Sequence, residues 1–312
     1  MFVQFAKSHP TTFSVQWDNA MPRNYGVRRC YNPAMSVRSE LLAVTEQVAT
    51  LVEIPKVRQV FLPEPSIDAT KDAEFGLVEL EGGATGLFYA WLGDSQRGMG
   101  DRFKTEEFVG ADALRVARYL ARENDMFRSI GLATVNAISQ HVFNLADFEP
   151  GEAPDSMAGI TLNSDDKLGM IGNFPPLVRQ ARSQDIPVTV VERKSHMQTR
   201  TSGLTITLDP RSLAPCNKII CTAATLINDS IDEMLPYCAH ADVVAVIGPS
   251  ASFFPEPLFT RGVEIVAGTH VRDASLAISE QQLGRGLRSV SSRYVLSRDS
   301  YPGALALCNL MN

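Results

Sequence analysis

Cysteine is scarce and scattered in this chain: five among 312 residues, with no C-x-x-C pair. That pattern argues against a disulfide framework and points to a reduced, cytoplasmic setting. Basic residues do not outnumber acidic ones (29 Lys and Arg against 35 Asp and Glu, net charge −6), which argues against nucleic acid as a partner. No apolar run reaches the roughly 20 residues needed to span a bilayer, so no membrane partner is expected. Residues 1–7 lack the charged-then-apolar order of a secretory leader. The G-x-G-x-x-G fingerprint is missing, and no internal repeat stands out. His196, His240 and His270 stand apart from one another, as do Cys216, Cys221 and Cys238, so no metal site is expected. What is present is an ordinary globular composition, 45% hydrophobic and 21% charged, in a chain long enough for two domains with real cores.

Three regions are legible along the chain. Residues 1–36 are irregular, with Pro10, Pro22 and Pro33, and read as an N-terminal arm. Residues 37–160 read as an α+β domain. Ser36-Val-Arg-Ser-Glu40 is a capping start for a helix whose apolar stripe is Leu41, Leu42, Val44, Val48, Leu51 and Val52. Residues 75–80 and 84–92 flank Glu81-Gly-Gly83 and predict a β-hairpin. Helical periodicity follows over 111–122 and 129–142. Residues 148–166 are rich in Pro, Gly, Asp, Glu and Ser and read as a linker. Residues 161–312 then alternate strand with helix. Strands are predicted at 168–171, 188–191, 218–222, 243–247 and 263–266. The intervening helices are predicted near 176–183, 229–237, 257–260 and 274–283. Such alternation predicts an α/β fold with a mostly parallel sheet, in which ligands bind beyond the carboxyl ends of the strands.

The chemistry-bearing stretch is Leu168-Gly-Met-Ile-Gly-Asn-Phe-Pro-Pro176, followed by Val188-Thr-Val-Val-Glu192. It reads as strand, glycine turn, helix, strand, acid. Gly172 closes the first strand where a ligand must approach the backbone, with Asn173 beside it. Pro175 and Pro176 suit a first helical turn, where the missing N–H is an orphan in any case. Glu192 follows Gly172 by twenty residues, the place of the acid that accepts ribose hydroxyls in nucleotide-binding βαβ units. A single glycine turn with a strand-end acid suits S-adenosylmethionine better than a dinucleotide. The other predicted tips carry Thr222-Ala-Ala-Thr225, Gly248-Pro-Ser250 and Gly268-Thr-His270.

These tips carry a resemblance. Gly172-x-Phe-Pro175, Val191-Glu192, Thr222-x-x-Thr225-Leu-x-Asn228, Gly248-Pro-Ser250 and Ala267-Gly268 look like the Rossmann-like "putative heavy-metal chelation" family. Ser129-Ile-Gly-Leu-Ala-x-x-Asn-Ala137 resembles that family's smaller companion domain, which has an enolase N-terminal-like fold. The resemblance covers about residues 40–280. It implies a Rossmann-like S-adenosylmethionine-binding half completed by the companion domain. A related branch is the bacterial azetidine-2-carboxylate synthases, which cyclise S-adenosylmethionine and release methylthioadenosine.

Each candidate residue has a plainer alternative. Glu192 is a ribose acceptor or an exposed strand-end acid. Phe174 is a wall against a sulfonium or a packing residue, and an aromatic face is worth ~0.5–2 kcal/mol to a desolvated cation. Asn136, alone on an apolar helix, orients the amino-acid end of the ligand or makes an interhelix bond. Thr222 and Thr225 bond adenine or sugar. Ser250 lies beside the amino-acid end, and Asn228 reads first as a helix cap. The leading expectation is an enzyme, a lyase or cyclase that uses S-adenosylmethionine as substrate with no metal, with Asn136 and Phe174 as catalytic residues. The rivals are a methyl or alkyl transferase and a non-catalytic binder of a metal chelate or siderophore precursor. The partner is a small molecule, and a homodimer stays open beside a monomer.

Overall fold

The structure, a computed structural model, describes residues 35–63, 75–90, 104–283 and 285–310. Residues 1–34, nearly all of the expected arm, and 91–92, the end of the expected hairpin, lie outside the described residues.

The first helix, Val37–Val48, begins where its cap predicts: the Ser36 side chain accepts from Ser39 N. Strands β1 (Val57–Phe61), β2 (Phe75–Leu80) and β3 (Thr85–Tyr89) form an antiparallel three-stranded sheet, with β2 and β3 joined at Glu81-Gly-Gly83. The predicted helix over 129–142 extends to Asp125–Leu145. Asn124 caps it by accepting from Met126 N. Most of this helix is buried, as expected for one with packing partners on several sides. The run predicted over 111–122 is shorter, Ala113–Ala117 followed by a 3₁₀ turn at Arg118–Ala121.

Strands β5 (Leu168–Ile171), β6 (Val188–Val191), β9 (Lys218–Thr222) and β10 (Val243–Ile247) occupy their predicted spans. β11 (Ile265–Val271) runs five residues beyond the predicted Val266 and pairs antiparallel with β12 (Ser291–Ser297). β5 pairs in parallel with β6 on one side and β9 on the other. The nine-stranded sheet, completed by β4 (Gly151–Glu152), β7 (Thr199–Thr201) and β8 (Leu204–Thr207), has the order β4-β12-β11-β10-β9-β5-β6-β8-β7. Counted from β5, its parallel strands lie in the sequence 3-2-1-4-5-6, so the chain reverses direction across the sheet between β5 and β9.

Three elements depart from the sequence reading. Where a crossover helix would follow β6, the chain forms a hairpin instead, β7 (Thr199–Thr201) and β8 (Leu204–Thr207), turning at Gly203 with φ +74°. The alternation in Leu204-Thr-Ile-Thr207 is the signal for it. The helix predicted over 229–237 is one α-helical turn, Ile231–Met234, running into a 3₁₀ turn at Leu235–Cys238, and a separate short helix, Ala224–Ile227, precedes it with Asp229 left-handed at φ +63° between them. Asn228 therefore caps no helix starting at Asp229; its side chain accepts from Ser230 N and the Ser230 hydroxyl, bridging the break. The stretch read as a linker is not a free tether: β4 (Gly151–Glu152) pairs with β12 at the edge of the large sheet.

The two sheets share one core. A single buried cluster includes Val37, Leu41, Ile130 and Ile138 from the first half and Ile219, Val246, Phe253 and Leu258 from the second. Phe143, on the long helix, meets Phe254 edge-on at 6.0 Å. Polar groups cross the same boundary: Gln140 donates to the Tyr294 hydroxyl at 3.0 Å, and complete burial pushes the Tyr294 phenol well above its ordinary range.

The tightest contact is between β3 and the long helix. A Cβ on Gly86 would lie 2.0 Å from the Ala133 carbonyl oxygen and 2.5 Å from the Ala137 nitrogen, both backbone atoms. Gly86→Ala must therefore push the sheet off the helix, and overpacking of this kind costs ~1–3 kcal/mol or more. The variant is expected to unfold at clearly lower urea concentration than the parent, measured by circular dichroism; an unchanged midpoint would show that the interface yields.

Candidate functional site

The carboxyl edge of the parallel strands is where this topology exposes backbone to a ligand. At the tip of β5, Gly172 has φ +87°, and a Cβ there would sit 2.7 Å from Thr222 Cγ2 at the tip of β9. Two constraints thus select glycine: a left-handed backbone and a neighbouring methyl. Gly172 N donates to Val191 O at 2.9 Å, tying the turn to β6.

Glu192 reaches back over this turn. Its Oε2 accepts from Asn173 N at 3.2 Å and its Oε1 from Lys194 N at 3.1 Å. Glu192 is half-buried, and each oxygen retains capacity for a further donor, since an ionised carboxylate offers about four lone-pair sites. The acid and the glycine turn, twenty residues apart in the chain, are brought into contact. The plainer role is visible too: the carboxylate clamps its own loop.

The remaining candidates are held more locally. Thr225 donates its hydroxyl to Thr222 O at 2.6 Å, and the Thr222 hydroxyl accepts from Ala224 N at 3.3 Å, so both stabilise the turn after β9. Phe174 precedes the Pro175–Arg182 helix as its cap and packs, half-buried, on the apolar cluster that includes Met157, Leu177 and Val178. Asn136 is fully buried. Its amide nitrogen donates to Leu87 O on β3 and to Ser250 O after β10, both at 2.9 Å, while Oδ1 has no partner among the described residues. The two carbonyl acceptors fix the orientation of the amide. Ser250 is likewise buried, so the Asn136–Ser250 contact is a bolt between the two sheets.

A cleft of about 160 Å³ opens beside these tips, over the ends of β10 and β11. Its lining includes Asp155, Ser156, Gly248, Pro249, Thr269 and Arg293. Among the predicted tips, Gly248-Pro249 and Gly268-Thr269 reach it. Gly172, Asn173, Phe174, Glu192, Thr222, Thr225, Ser250 and Asn136 are not in its wall. Asp155, Ser156 and Arg293 were missed by sequence reasoning. The first two lie in the apparent linker, and Arg293 lies on an antiparallel strand too polar to stand out. An isolated arginine within the alternating Ser291–Ser297 run was the only available signal.

No group of three His, Cys, Asp or Glu side chains among the described residues is arranged to hold a metal ion. Burial pushes the Cys221 thiol up to about 12 and raises Cys216 and Cys238 as well, whereas metal ligation needs the thiolate. His240 faces the Leu213 carbonyl at 3.2 Å, and His141 faces that of Glu53 at 3.1 Å.

Comparison with known proteins places this arrangement. Two family profiles, both described as "Putative heavy-metal chelation", match residues 73–139 and 156–298. The chain is 30% identical over 154 residues to an uncharacterized protein of Methanocaldococcus jannaschii, a match spanning 48% of this chain and 57% of that one. It is similar in fold to the crystal structure of a protein of unknown function from Pyrococcus horikoshii, with a TM-score of 0.61 and 22% identity over 82% of this chain and 99% of the other. A second, from Desulfitobacterium hafniense and also of unknown function, gives a TM-score of 0.60 and 15% identity over 83% and 98%.

The Asn136 bolt makes a sharp stability prediction. Asn136→Ala leaves two buried carbonyls without a donor, at ~1–3 kcal/mol for each group left unsatisfied. Asn136→Asp places a carboxylate against the same two carbonyls and is expected to be the worse variant. Urea denaturation should rank the parent above Asn136→Ala and Asn136→Ala above Asn136→Asp; equal stability of all three would remove the bolt.

Proposed function

We propose that this chain, which belongs to the family described as "Putative heavy-metal chelation", binds S-adenosylmethionine along the carboxyl edge of its large sheet and uses it as substrate. The observation that carries the reading is the meeting of Glu192 with the Gly172-Asn173 turn at 3.2 Å, beside the point where the strand order reverses. The large sheet is read as a Rossmann-like nucleotide-binding unit, and the β1–β3 half as its enolase N-terminal-like companion. Glu192 takes the ribose hydroxyls with the acceptor capacity that its two backbone donors leave free. Gly172 lets the ligand approach the backbone.

The reaction we favour is intramolecular. The α-ammonium first gives up a proton, the resulting neutral amine attacks the γ-carbon, the Cγ–S bond breaks, and its electron pair leaves with sulfur as neutral methylthioadenosine. The ring nitrogen then releases its surplus proton, giving azetidine-2-carboxylate. Nothing but positioning is required, and aligned intramolecular attack reaches effective molarities of ~10⁵–10⁸ M. The role of Asn136 changes with its position: it is a positioning residue that holds the Ser250 tip, because both its N–H groups are already used. Phe174 stands next to the glycine turn as an apolar wall for the sulfonium side.

Incubation of the purified chain with S-adenosylmethionine alone is the decisive experiment. Methylthioadenosine with a cyclic amino acid is the expected product pair. Adenosylhomocysteine formed only with an added acceptor would replace cyclisation by group transfer, and absence of both binding and turnover would reject the proposal. Glu192→Ala should weaken binding at least tenfold by calorimetry, since a hydrogen bond to a charged group contributes ~1.5–3 kcal/mol. Exhaustive chelator treatment should leave both affinity and turnover unchanged; a stoichiometric metal whose removal abolishes them would favour the chelation reading.

A further inference from the structure

The cleft over β10 and β11 presents opposite charges that the protein leaves uncombined. Arg293 is exposed on β12, opposite Thr269 in the antiparallel register. Asp155 faces the same space from the loop after β4. No ion pair joins them, and the Arg293 guanidinium has no hydrogen-bond or ionic partner among the described residues.

The walls are built rather than incidental. One Asp155 oxygen accepts from Met157 N at 2.8 Å and from Gly159 N at 3.1 Å, which fixes the carboxylate in place. The loop is tied to β12 by Ala153 N donating to Arg293 O at 3.0 Å, and to the Pro175–Arg182 helix by Ser156 Oγ donating to Gln180 Oε1 at 3.1 Å. Between these walls Gly248 has φ +138°, and no atom lies closer than 3.9 Å to where its Cβ would be. Backbone is therefore open to the cleft at the tip of β10. Ile247 and Ala267 supply an apolar floor.

We infer that this cleft binds the zwitterionic head of an α-amino acid. Arg293 forks the carboxylate through two parallel N–H donors, the geometry that distinguishes guanidinium from ammonium. Asp155 accepts from the α-ammonium, and the aliphatic carbons lie on Ile247 and Ala267. The identification of that amino acid as the methionyl arm of S-adenosylmethionine rests on the function proposed above. Glu192 follows β6, which lies three strands from β10 and four from β11, so about 14–19 Å of sheet edge separates its tip from the cleft at ~4.8 Å per strand, and the Glu192 side chain shortens this by reaching back to Asn173 at the tip of β5. An extended ligand running along the sheet edge, ribose toward Glu192 and amino-acid head toward Arg293, lies in the interval that these two side chains narrow from either end.

The test is calorimetry on the full chain with three probes: S-adenosylmethionine, methylthioadenosine and free L-methionine. Arg293→Ala should weaken S-adenosylmethionine and L-methionine at least tenfold and leave methylthioadenosine unchanged. Arg293→Lys should recover part of the loss, and Asp155→Asn should weaken the same two probes. Thermal melts of each variant report folding. Unchanged S-adenosylmethionine affinity in Arg293→Ala overturns the inference, as does a parallel loss for methylthioadenosine. If the parent binds neither adenosyl probe, the proposed function fails. In that case L-methionine binding that depends on Arg293 still upholds the cleft, and its absence overturns the cleft as well.

Discussion

The close approach of β3 to the Asp125–Leu145 helix is the constraint from which the rest of the molecule follows. Gly86 lets two backbones meet without an intervening side chain. That approach brings Leu87 O within reach of the Asn136 amide, whose second N–H takes Ser250 O from the large sheet. One amide thus joins hairpin, helix and sheet edge. The position of the Gly248-Pro-Ser250 tip, and with it one wall of the cleft, is tied through that amide to the contact between β3 and the long helix. The unpartnered Oδ1 of Asn136 is the residual strain of that arrangement, because a buried amide oxygen without a donor is unfavourable by ~1–3 kcal/mol.

The carboxyl edge divides its chemistry by strand. Between β5 and β6 it carries the glycine turn and Glu192, acceptor groups suited to hydroxyl donors. Over β10 and β11 it carries Arg293 and Asp155, suited to a zwitterion. The space between is shaped by Thr222, whose methyl demands Gly172 and whose hydroxyl, accepting from Ala224 N, closes the turn after β9. Buried thiols lie behind this edge, not on it, and burial holds them protonated. The edge is polar, and among the described residues no group of three His, Cys, Asp or Glu side chains is arranged to hold a metal ion.

Much of the architecture was legible because it is local. Ser36 caps the first helix, Glu81-Gly-Gly83 turns the hairpin, and short runs such as Val188–Val191 mark strands buried on both faces. Each signal acts within a few residues, where propensity and hydrophobic period decide. The pairing of β5 with both β6 and β9 was legible for a related reason, since alternating strand and helix leaves few parallel topologies. The β7–β8 hairpin was not read, because its strands of three and four residues are half-polar and replace a helix that the alternation implies. Nor was the role of residues 151–158, whose Pro, Gly and Asp content describes a linker equally well.

By itself, then, the sequence determined the first helix, the β2–β3 hairpin, the strands β5, β6, β9 and β10 in their order, and the presence of a glycine turn and an acid at two strand tips. Those depend on backbone sterics and on apolar spacing within single segments. Only the tertiary structure decided what each polar side chain does. Asn136 became a bolt because β3 and the Ser250 tip happen to present carbonyls to one amide. Thr225 became a turn lock because Thr222 O lies 2.6 Å away. Arg293 and Asp155, some 140 residues apart and individually unremarked, became neighbours across a cleft because β4 adds to the sheet beside β12. Hydrogen bonding is satisfied by whichever partner lies within about 3 Å, and distances of that order between remote residues exist only after the chain has folded.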